Sequence, residues 1–351
     1  MRKVIEIVCV VLAIGMIGCK ISAGDVISSE IKIGDAKFSK TGEVIIVPEG
    51  KTVVVEMKDD SSWNTYVPDS VKAWSKGVFI KDRKVPLSPF VMGQYEVTQE
   101  LYTAVMGMNP SYFQGDSEQP SKGELQQLRP VENVSHYEAV SFCNELTKKT
   151  MTDSDVVYFI DEAKTTAYTK YDASSNKTPY MDITKKGYRL PTEAEWEYSA
   201  RGGDPSKAEW KNAFGKVNTK GNKMIYDDIG YSLWEDENLA KVGWYKFNSY
   251  NRTHEVGKKK ANRLNLYDMA GNVYEWCLDW SAFDVTTGDV IDPCSTASNS
   301  FRVFRGGCYY HFAESCAVSQ CYFGNPDFQF DGLGFRICRF LRKILKIKDL
   351  P

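Results

Sequence analysis

Residues 305–339 read RGGCYYHFAESCAVSQCYFGNPDFQFDGLGFRICR, a stretch that combines fixed backbone positions with many aromatic side chains. The fixed positions are Arg305-Gly306-Gly307, Asn325-Pro326-Asp327 and Leu333-Gly334-Phe335-Arg336. Glycine and proline at such positions indicate a backbone with positive φ, a restricted φ, or close approach to another strand. The stretch is therefore predicted to form a rigid frame around which the rest of the chain is organised.

The positions between these fixed points form a candidate ligand-binding set. They are rich in aromatic residues, which give a large contact area for little rotamer entropy, and in small residues, as antibody loops are. They contain no lysine or arginine, although the chain has 44 such residues. The set consists of Cys308, Tyr309, Tyr310, His311, Phe312, Ser315, Cys321, Tyr322, Phe323, Gly324, Phe328, Phe330, Asp331 and Gly332.

Two interpretations of this set stay open. Aromatic residues at this density are common in hydrophobic cores. However, the stretch has neither a period of 2 nor one of 3.6 between its glycines and prolines, so no single buried face is predicted. Loops held on a rigid frame are also where binding residues concentrate. The pattern is compatible with a core segment or with a binding surface.

The composition of the whole chain indicates a loop-rich globular protein. Its 351 residues include 13% aromatic residues and 26 glycines, enough for one large domain or two modest ones. The net charge of −2 gives no electrostatic case for binding nucleic acid. The three histidines, His136, His254 and His311, are far apart in sequence, so a histidine-based metal centre is not supported.

The N-terminus has the pattern of a secretion signal. Residues 1–18 begin with Met1-Arg2-Lys3 and continue with an apolar run that is too short to span a bilayer. The run contains Glu6 and ends before Cys19 in a motif that resembles the lipobox of bacterial lipoproteins. We therefore expect acylated Cys19 to anchor the chain in the bacterial cell envelope, on the outward face of the outer membrane. An ordinary signal peptide with an incidental cysteine is the alternative.

The predicted mature chain contains an odd number of cysteines besides the lipidation site. Of nine cysteines, one lies in the predicted signal peptide and one is the predicted lipidation site, so at least one of the others should be free or paired between chains. No CxxC pair is present, so neither a zinc site nor a redox motif is supported. The seven others are Cys143, Cys277, Cys294, Cys308, Cys316, Cys321 and Cys338.

Four regions are predicted along the chain. After the signal peptide, residues 19–75 read as a β-rich stalk or extension, with strands near 31–33, 44–47 and 51–57. Residues 76–340 form the main domain, in which 150–186 is polar and reads as a hairpin or loop insertion. Residues 341–351 are a basic tail.

Three helices have recognisable starts within the main domain. Thr98, Ser135 and Thr192 are plausible N-caps because each precedes a run with helical character. Glu195 follows Thr192 at the third helical position, which completes a capping box.

Six ordered motifs make the chain resemble the formylglycine-generating-enzyme, or sulfatase-modifying-factor, family. The resemblance covers about residues 75–340 and implies an α+β, C-type-lectin-like fold that is loop-rich, with a small antiparallel sheet and a few helices. The motifs are residues 94–99, 109–113, 130–135, 187–198, 266–276 and the frame from 305–307 to 334–336.

The resemblance also implies a possible structural calcium site at Asp268, Gly271, Val273 and Glu275. Two carboxylates and two backbone carbonyls are hard oxygen ligands that suit Ca²⁺. The alternative is a turn held by Asp268 and Glu275 without metal. No other cofactor is expected.

The resemblance implies the fold of these enzymes but not their catalytic activity. The enzymes of this family bind copper with two cysteines five residues apart and oxidise a substrate cysteine. Here the second position matches Cys316, but His311 occupies the first. One thiolate and one imidazole do not form that copper site, because Cu(I) requires soft thiolate ligands.

The chain more narrowly resembles variable proteins of diversity-generating retroelements, a group with members in Treponema. In these systems mutation of template adenines turns AAC codons into NNC codons, which cannot encode Lys, Glu, Gln, Met or Trp. None of the fourteen candidate positions holds any of these five residues. The resemblance implies a variable region at about 302–339.

These features predict a surface-displayed lipoprotein that binds a protein or other surface ligand through a diversified C-terminal patch. Two alternatives are kept. One is a divergent oxidase of the formylglycine-generating type, or another enzyme using the same cleft. The other is an envelope scaffold protein with a fixed partner.

Overall fold

The computed structural model describes most of the chain. The predicted signal peptide, the lipidation site Cys19 and the basic tail after residue 341 lie outside the described residues. Within the described residues, no helix has the length and apolar character needed to cross a membrane. The described residues are 21–56, 77–207, 210, 235–281, 288–295 and 300–341.

Two four-stranded sheets organise the described part of the chain. The strands are β1 (Val26–Ser28), β2 (Ile31–Ile33), β3 (Ala36–Phe38), β4 (Glu43–Val47), β5 (Val53–Glu56), β6 (Lys84–Leu87), β7 (Phe90–Gly93), β8 (Tyr158–Phe159), β9 (Tyr180–Met181), β10 (Tyr274–Trp280), β11 (Arg302–Arg305), β12 (Cys321–Gly324), β13 (Leu333–Gly334) and β14 (Cys338–Phe340). The first sheet has the order β1-β4-β7-β14 with antiparallel neighbours. The second has the order β12-β11-β10-β13 and is antiparallel except that β13 runs parallel to β10.

The first sheet joins the two ends of the described chain. All five residues of β4 are buried, as expected for an apolar, β-branched run covered on both faces. Ile45 of β4 and Arg339 of β14 both pair with Val91 of β7. The predicted extension at 19–75 and the predicted main domain therefore contribute strands to the same sheet.

Short helices and turns connect the strands. The three predicted N-caps are confirmed, because the side chains of Thr98, Ser135 and Thr192 each accept a hydrogen bond from an amide in the first turn. The region 150–186 contains the β8–β9 hairpin as well as one short helix. The α-helices are α1 (Gln99–Met106), α2 (His136–Thr150), α3 (Lys170–Ser174), α4 (Glu193–Ala200) and α5 (Leu239–Val242); 3₁₀ turns occur at Gln126–Leu128, Asp153–Asp155 and Ala313–Cys316.

The second sheet lies between two hydrophobic clusters. Tyr274 and Trp276 of β10 belong to the cluster that includes the apolar face of α2. Cys277 of β10 belongs to the opposite cluster, which includes Trp196 of α4 and Met92 of the first sheet. Alternate β10 side chains thus enter different cores, which explains why all seven residues of this strand are buried. The predicted α+β, loop-rich class is confirmed.

Buried arginines hold the predicted frame in place. Arg336 donates from Nε and Nη2 to the two carboxylate oxygens of Glu275, at 2.6 Å each, and from Nη1 to the carbonyl of Gly93 at 3.1 Å. Arg305 donates from Nη2 to Glu197 on α4 at 2.6 Å. Paired guanidinium–carboxylate contacts of this kind fix geometry as well as charge. They connect the second sheet with β7 and α4.

Candidate functional site

The structure divides the fourteen candidate residues between core and surface. Five are buried, so the core interpretation holds for them: Cys308, Tyr309, Ser315, Gly324 and Gly332. The other nine are at least partly exposed: Tyr310, His311, Phe312, Cys321, Tyr322, Phe323, Phe328, Phe330 and Asp331.

Strand β12 further separates the exposed residues into two groups. Tyr322 pairs with Phe304 across the sheet, and its ring lies 5.2 Å from that of Tyr274. The next side chain, Phe323, points to the opposite face and contacts Phe301 at 5.5 Å. Cys321 lies on this second face and packs against the cluster around α4. Adjacent candidates on one strand therefore cannot contact the same ligand surface.

Six residues that are at least partly exposed make up what we call the aromatic strip; ring contacts connect five of them, and Phe312 follows His311 in the sequence. Its members are Tyr310, His311, Phe312, Tyr322, Phe328 and Phe330. Ring centroids of Tyr310 and His311 are 4.4 Å apart, those of Tyr310 and Phe330 6.2 Å, and those of Phe328 and Phe330 5.3 Å. Rings at these distances and tilted orientations form favourable aromatic pairs.

Tyr274 forms the floor of the aromatic strip. Its buried ring lies 5.3 Å from that of His311, 5.2 Å from that of Tyr322 and 6.2 Å from that of Phe330. Sequence reasoning did not select Tyr274, because it belongs to the motif at 266–276, far from the variable stretch. Its position on β10, beside β11, brings it under the strip.

Three titratable groups under the strip, His311, Cys308 and Cys316, are neutral near pH 7. Burial, helped by the positive charge of Lys246, lowers the pKa of His311 to about 4. Its Nδ1 lies 2.8 Å from the Tyr274 hydroxyl and 3.4 Å from the Cys308 sulfur. Burial also raises the pKa of Cys308 and of Cys316 above the ordinary thiol value. These groups are therefore a neutral imidazole and two thiols.

Two exposed aromatic residues outside residues 305–339 extend the strip. Phe247 is 41% exposed and its ring lies 5.9 Å from that of Phe312. Tyr112 is 55% exposed, and a chain of ring contacts through Phe113 and Tyr309 connects it with Tyr310. Tyr112 lies in the motif at 109–113, which could have suggested it, whereas Phe247 has no comparable signal.

Glu132 supports the loop that carries Tyr112. Its carboxylate accepts hydrogen bonds from the amides of Tyr112 and Phe113, at 3.0 and 2.9 Å. Burial raises the pKa of Glu132 to about 7, and the negative charge of Asp331 adds to this rise, while the two amides and Arg129 oppose it. The loop is therefore held by a carboxyl group that titrates near neutral pH.

The predicted calcium ligands do not form an open site. Both carboxylate oxygens of Glu275 accept hydrogen bonds from Arg336, and Oε2 also accepts one from Trp196 Nε1 at 2.7 Å. Asp268 Oδ2 accepts from the Gly257 amide at 2.7 Å, which leaves Oδ1 buried without a hydrogen-bond partner. The amides of the other two predicted ligands, Gly271 and Val273, donate to Gly306 and Glu96. The residues present fit a calcium ion poorly, because Glu275 is already occupied by a guanidinium and an indole.

All seven predicted extracellular cysteines are free thiols in the described chain. This confirms the expectation that at least one thiol is unpaired within the chain. Cys316, the position that matches the second copper ligand of the enzymes, has no exposed surface. It packs in a small cluster with Leu239, Tyr245, Ala270 and Ala313.

Comparisons with known proteins show one family and several relatives that this chain resembles. Residues 32–341 match the model of the family described as "Sulfatase-modifying factor enzyme 1-like domain". The chain is 32% identical over 295 residues to a protein named chaperone protein LppX from Paenibacillus barcinonensis, covering 78% of this chain and 89% of the relative. It is 34% identical over 154 residues to the formylglycine-generating enzyme of Streptomyces coelicolor, covering 43% of this chain and 46% of that enzyme.

A solved structure resembles nearly the whole chain. Treponema denticola variable protein 1 (TvpA) has a TM-score of 0.63 and 33% sequence identity, with 88% of this chain and 98% of that chain covered. Together with the domain match, this similarity confirms the predicted C-type-lectin-like fold of the formylglycine-generating-enzyme type.

Proposed function

This chain belongs to the sulfatase-modifying factor enzyme 1-like family, and we propose that it uses the family's fold as a ligand-binding surface protein rather than as an enzyme. The aromatic strip is the binding surface, and the ligand is a protein. Acylated Cys19 holds the chain on the outward face of the outer membrane. The observation that carries the proposal is the strip itself, a continuous set of partly exposed rings at positions between rigid frame residues.

The energetics of protein recognition support this use of the strip. A few aromatic anchors supply most of the binding free energy at typical interfaces, while small neighbours adjust the shape. Phe328 and Tyr310 are partly exposed anchors, and the rigid second sheet lies beneath them. Similarity to a Treponema variable protein supports the further proposal that these positions are diversified.

The state of Cys316 supports a non-catalytic role. Copper chemistry of the family's type needs two thiolates, whereas burial keeps Cys316 a thiol and a neutral His311 occupies the other position. A thiol packed among apolar side chains is also inaccessible to a substrate cysteine.

A chaperone is the second candidate function. It is favoured by the relative named chaperone protein LppX, which this chain matches over 89% of its length. A chaperone binds unfolded chains through apolar surface, which the strip also offers. Suppression of the aggregation of an unfolded protein, with loss of this effect in Tyr310→Ala/Phe330→Ala, would favour the chaperone over a receptor for folded ligands.

The gene provides the sharpest test of diversification. A nearly identical non-coding repeat of the 3′ end, differing at adenines and lying beside a reverse transcriptase gene, is the expected result. Sister genes should then differ at the strip and agree at Arg305, Gly306 and Arg336. Identical strip residues in sister strains would instead favour a scaffold with a fixed partner.

The membrane anchor has its own test. Growth with radiolabelled palmitate should label the wild-type chain but not Cys19→Ala, and protease treatment of intact cells should cleave the labelled protein. A chain that is secreted unlabelled would show that the leader is an ordinary signal peptide.

A further inference from the structure

We infer that the aromatic strip binds a basic polypeptide segment, with a lysine or arginine side chain seated at the end of the strip formed by Phe330. This inference rests on the proposed binding function and specifies the chemistry of the ligand. It follows from the distribution of charge around the strip.

Carboxylates surround one end of the strip. Asp331 follows Phe330 directly, and exposed Asp327 precedes Phe328. Glu118 lies beside Tyr112, whose hydroxyl donates to its Oε1 at 3.4 Å. Two of these carboxylates, Asp331 and Glu118, lie close enough to act on the tyrosine hydroxyls at this side of the strip.

Two arginines lie near Glu118. Arg252 is partly exposed and donates to the carbonyl of Gln119 at 3.0 Å. Arg129 is buried under the ring of Phe113, with its guanidinium carbon 4.8 Å from the ring centroid, and it donates to the backbone carbonyl of Glu118. Lys246 lies beside His311, whose carbonyl accepts a hydrogen bond from the Lys246 amide. Positive charge therefore acts on His311, and negative charge from Asp331 acts on Tyr310.

The carboxylates near the strip raise the pKa values of neighbouring tyrosine hydroxyls. Glu118, and then Asp331, hold the pKa of Tyr112 above its ordinary value. Burial raises the pKa of Tyr309 and of Tyr310, and the Asp331 carboxylate raises both further. The hydroxyls are neutral near pH 7, and their raised pKa values indicate a negative potential that would attract a cation.

Aromatic rings next to carboxylates suit an organic cation. Lysine and arginine bind over aromatic faces, and arginine in addition forms paired hydrogen bonds with carboxylates. The fourteen candidate positions contain no lysine or arginine. A basic ligand would supply a cation to Asp331 and Glu118, while its apolar side chains cover Tyr310, Phe328 and Phe330.

A selection experiment tests the inference with the full chain. A library of random peptides is selected on the immobilised protein, and the captured peptides are sequenced. We expect Lys and Arg to be enriched at least about twofold over the unselected library, next to apolar residues. Capture of the enriched peptides should fall about tenfold in Glu118→Gln/Asp331→Asn, because both changes remove charge and keep hydrogen-bonding groups.

Two controls separate local charge from net charge. Asp153→Asn/Glu162→Gln removes the same charge from two exposed residues after the C-terminus of α2. The N-terminus of α2 lies beside the strip, where the His136 amide donates to Pro326, so a 15-residue helix, about 22 Å long, separates the two places. The Asp153/Glu162 variant should retain capture, and Lys246→Gln, which removes a positive charge beside the strip, should not weaken it.

The outcomes distinguish the inference from the proposed function. Peptides whose capture needs Tyr310 and Phe330 but which have no excess of basic residues would overturn the inference and leave the binding function intact. Equal loss of capture in both charge-removing variants would also overturn it. Peptides whose capture survives Tyr310→Ala/Phe330→Ala would contradict the strip as the binding surface, and with it the proposed function.

Discussion

Tyr309 and Phe328 belong to the same candidate set but have different roles in the structure. Tyr309 is 3% exposed and contacts the rings of Phe113 and Tyr310, whereas Phe328 is 44% exposed. We predict that Tyr309→Ala lowers the free energy of unfolding by about 3–5 kcal/mol, because it leaves a cavity. Phe328→Ala should cost less than about 1 kcal/mol.

Urea denaturation of both variants checks this prediction. Phe328→Ala should retain the wild-type midpoint and lose ligand capture. If it destabilised the domain as much as Tyr309→Ala does, Phe328 would be a core residue and the strip would lose one of its anchors.

Glu132 gives a pH dependence to the loop that carries Tyr112. Its pKa is about 7 in the folded protein, against about 4.3 for an unperturbed glutamate. The folded state therefore binds more protons between these values. The contribution of Glu132 to stability is complete below about pH 4.3 and is lost as the pH rises through about 7, by up to about 4 kcal/mol.

The variant Glu132→Gln isolates this effect. As the pH rises from about 5 to about 8, the free energy of unfolding of the wild type should fall relative to that of Glu132→Gln. The Glu132 carboxyl carbon should titrate near neutral pH in an NMR experiment, and Asp331→Asn should lower that midpoint because it removes a nearby negative charge. A midpoint near the value of free glutamate would contradict the assignment.

At the residue scale, the sequence identified which side chains to consider but not which way they face. The candidate set was defined by composition and by its position between glycines and prolines, and neither property reports burial. Tyr322 and Phe323 are chemically alike and adjacent, yet they lie on opposite faces of β12. Their separation depends on strand register, which is set by pairing with β11 and is not local.

At the scale of elements, sequence patterns that span only a few residues predicted the structure correctly. The three N-caps were predicted correctly because a capping hydrogen bond joins residues only three positions apart. The partners of Glu275 were not predictable in this way, since Arg336 lies 61 residues away in sequence. The pairing with Arg336 makes the predicted calcium site a poor fit.

The turn at Gly307, between β11 and the aromatic strip, leads to a prediction about the stability of the domain. Gly307 has a φ of 77°, and a side chain there would overlap with Cys316. Gly307→Ala should destabilise the domain by more than about 2 kcal/mol, because backbone strain adds to steric overlap. Gly123 is a matched control, with a φ of 85° and no atom within 4 Å of a Cβ placed on it.

Thermal unfolding of the two variants measures the difference. Gly123→Ala should cost only about 1 kcal/mol, from the left-handed backbone alone. Equal melting temperatures for the two variants would mean that the backbone at Gly307 shifts freely, and the proposed rigid frame would not exist.

At the scale of the whole molecule, the described chain is tied together by Arg336. It joins Glu275 on β10 to the carbonyl of Gly93 on β7, so it connects the two sheets. Arg336→Met leaves a buried carboxylate without its main partner and should cost about 3–5 kcal/mol. Glu275→Met/Arg336→Met should cost clearly less, because the Glu275 carboxylate is no longer left buried without its guanidinium partner.

Urea denaturation of the single and double variants provides this measurement. The pair Lys148–Glu145 on α2 serves as a surface comparison, at 2.9 Å with both side chains about a quarter exposed. Lys148→Met should cost less than about 1 kcal/mol. A double variant as unstable as Arg336→Met would indicate that Arg336 acts through its backbone carbonyl partners rather than through Glu275.

The segment between β11 and β14 has a consequence for any gene that alters it. Arg336 and the strand that pairs with β7 lie downstream of every residue of the aromatic strip. A frameshift or premature stop within the codons of the aromatic strip would therefore delete both the inter-sheet arginine and an edge of the first sheet. Only products read in frame to the last strand can complete the fold. Any substitution in the strip is thus compatible with folding only when the chain beyond it is translated in frame.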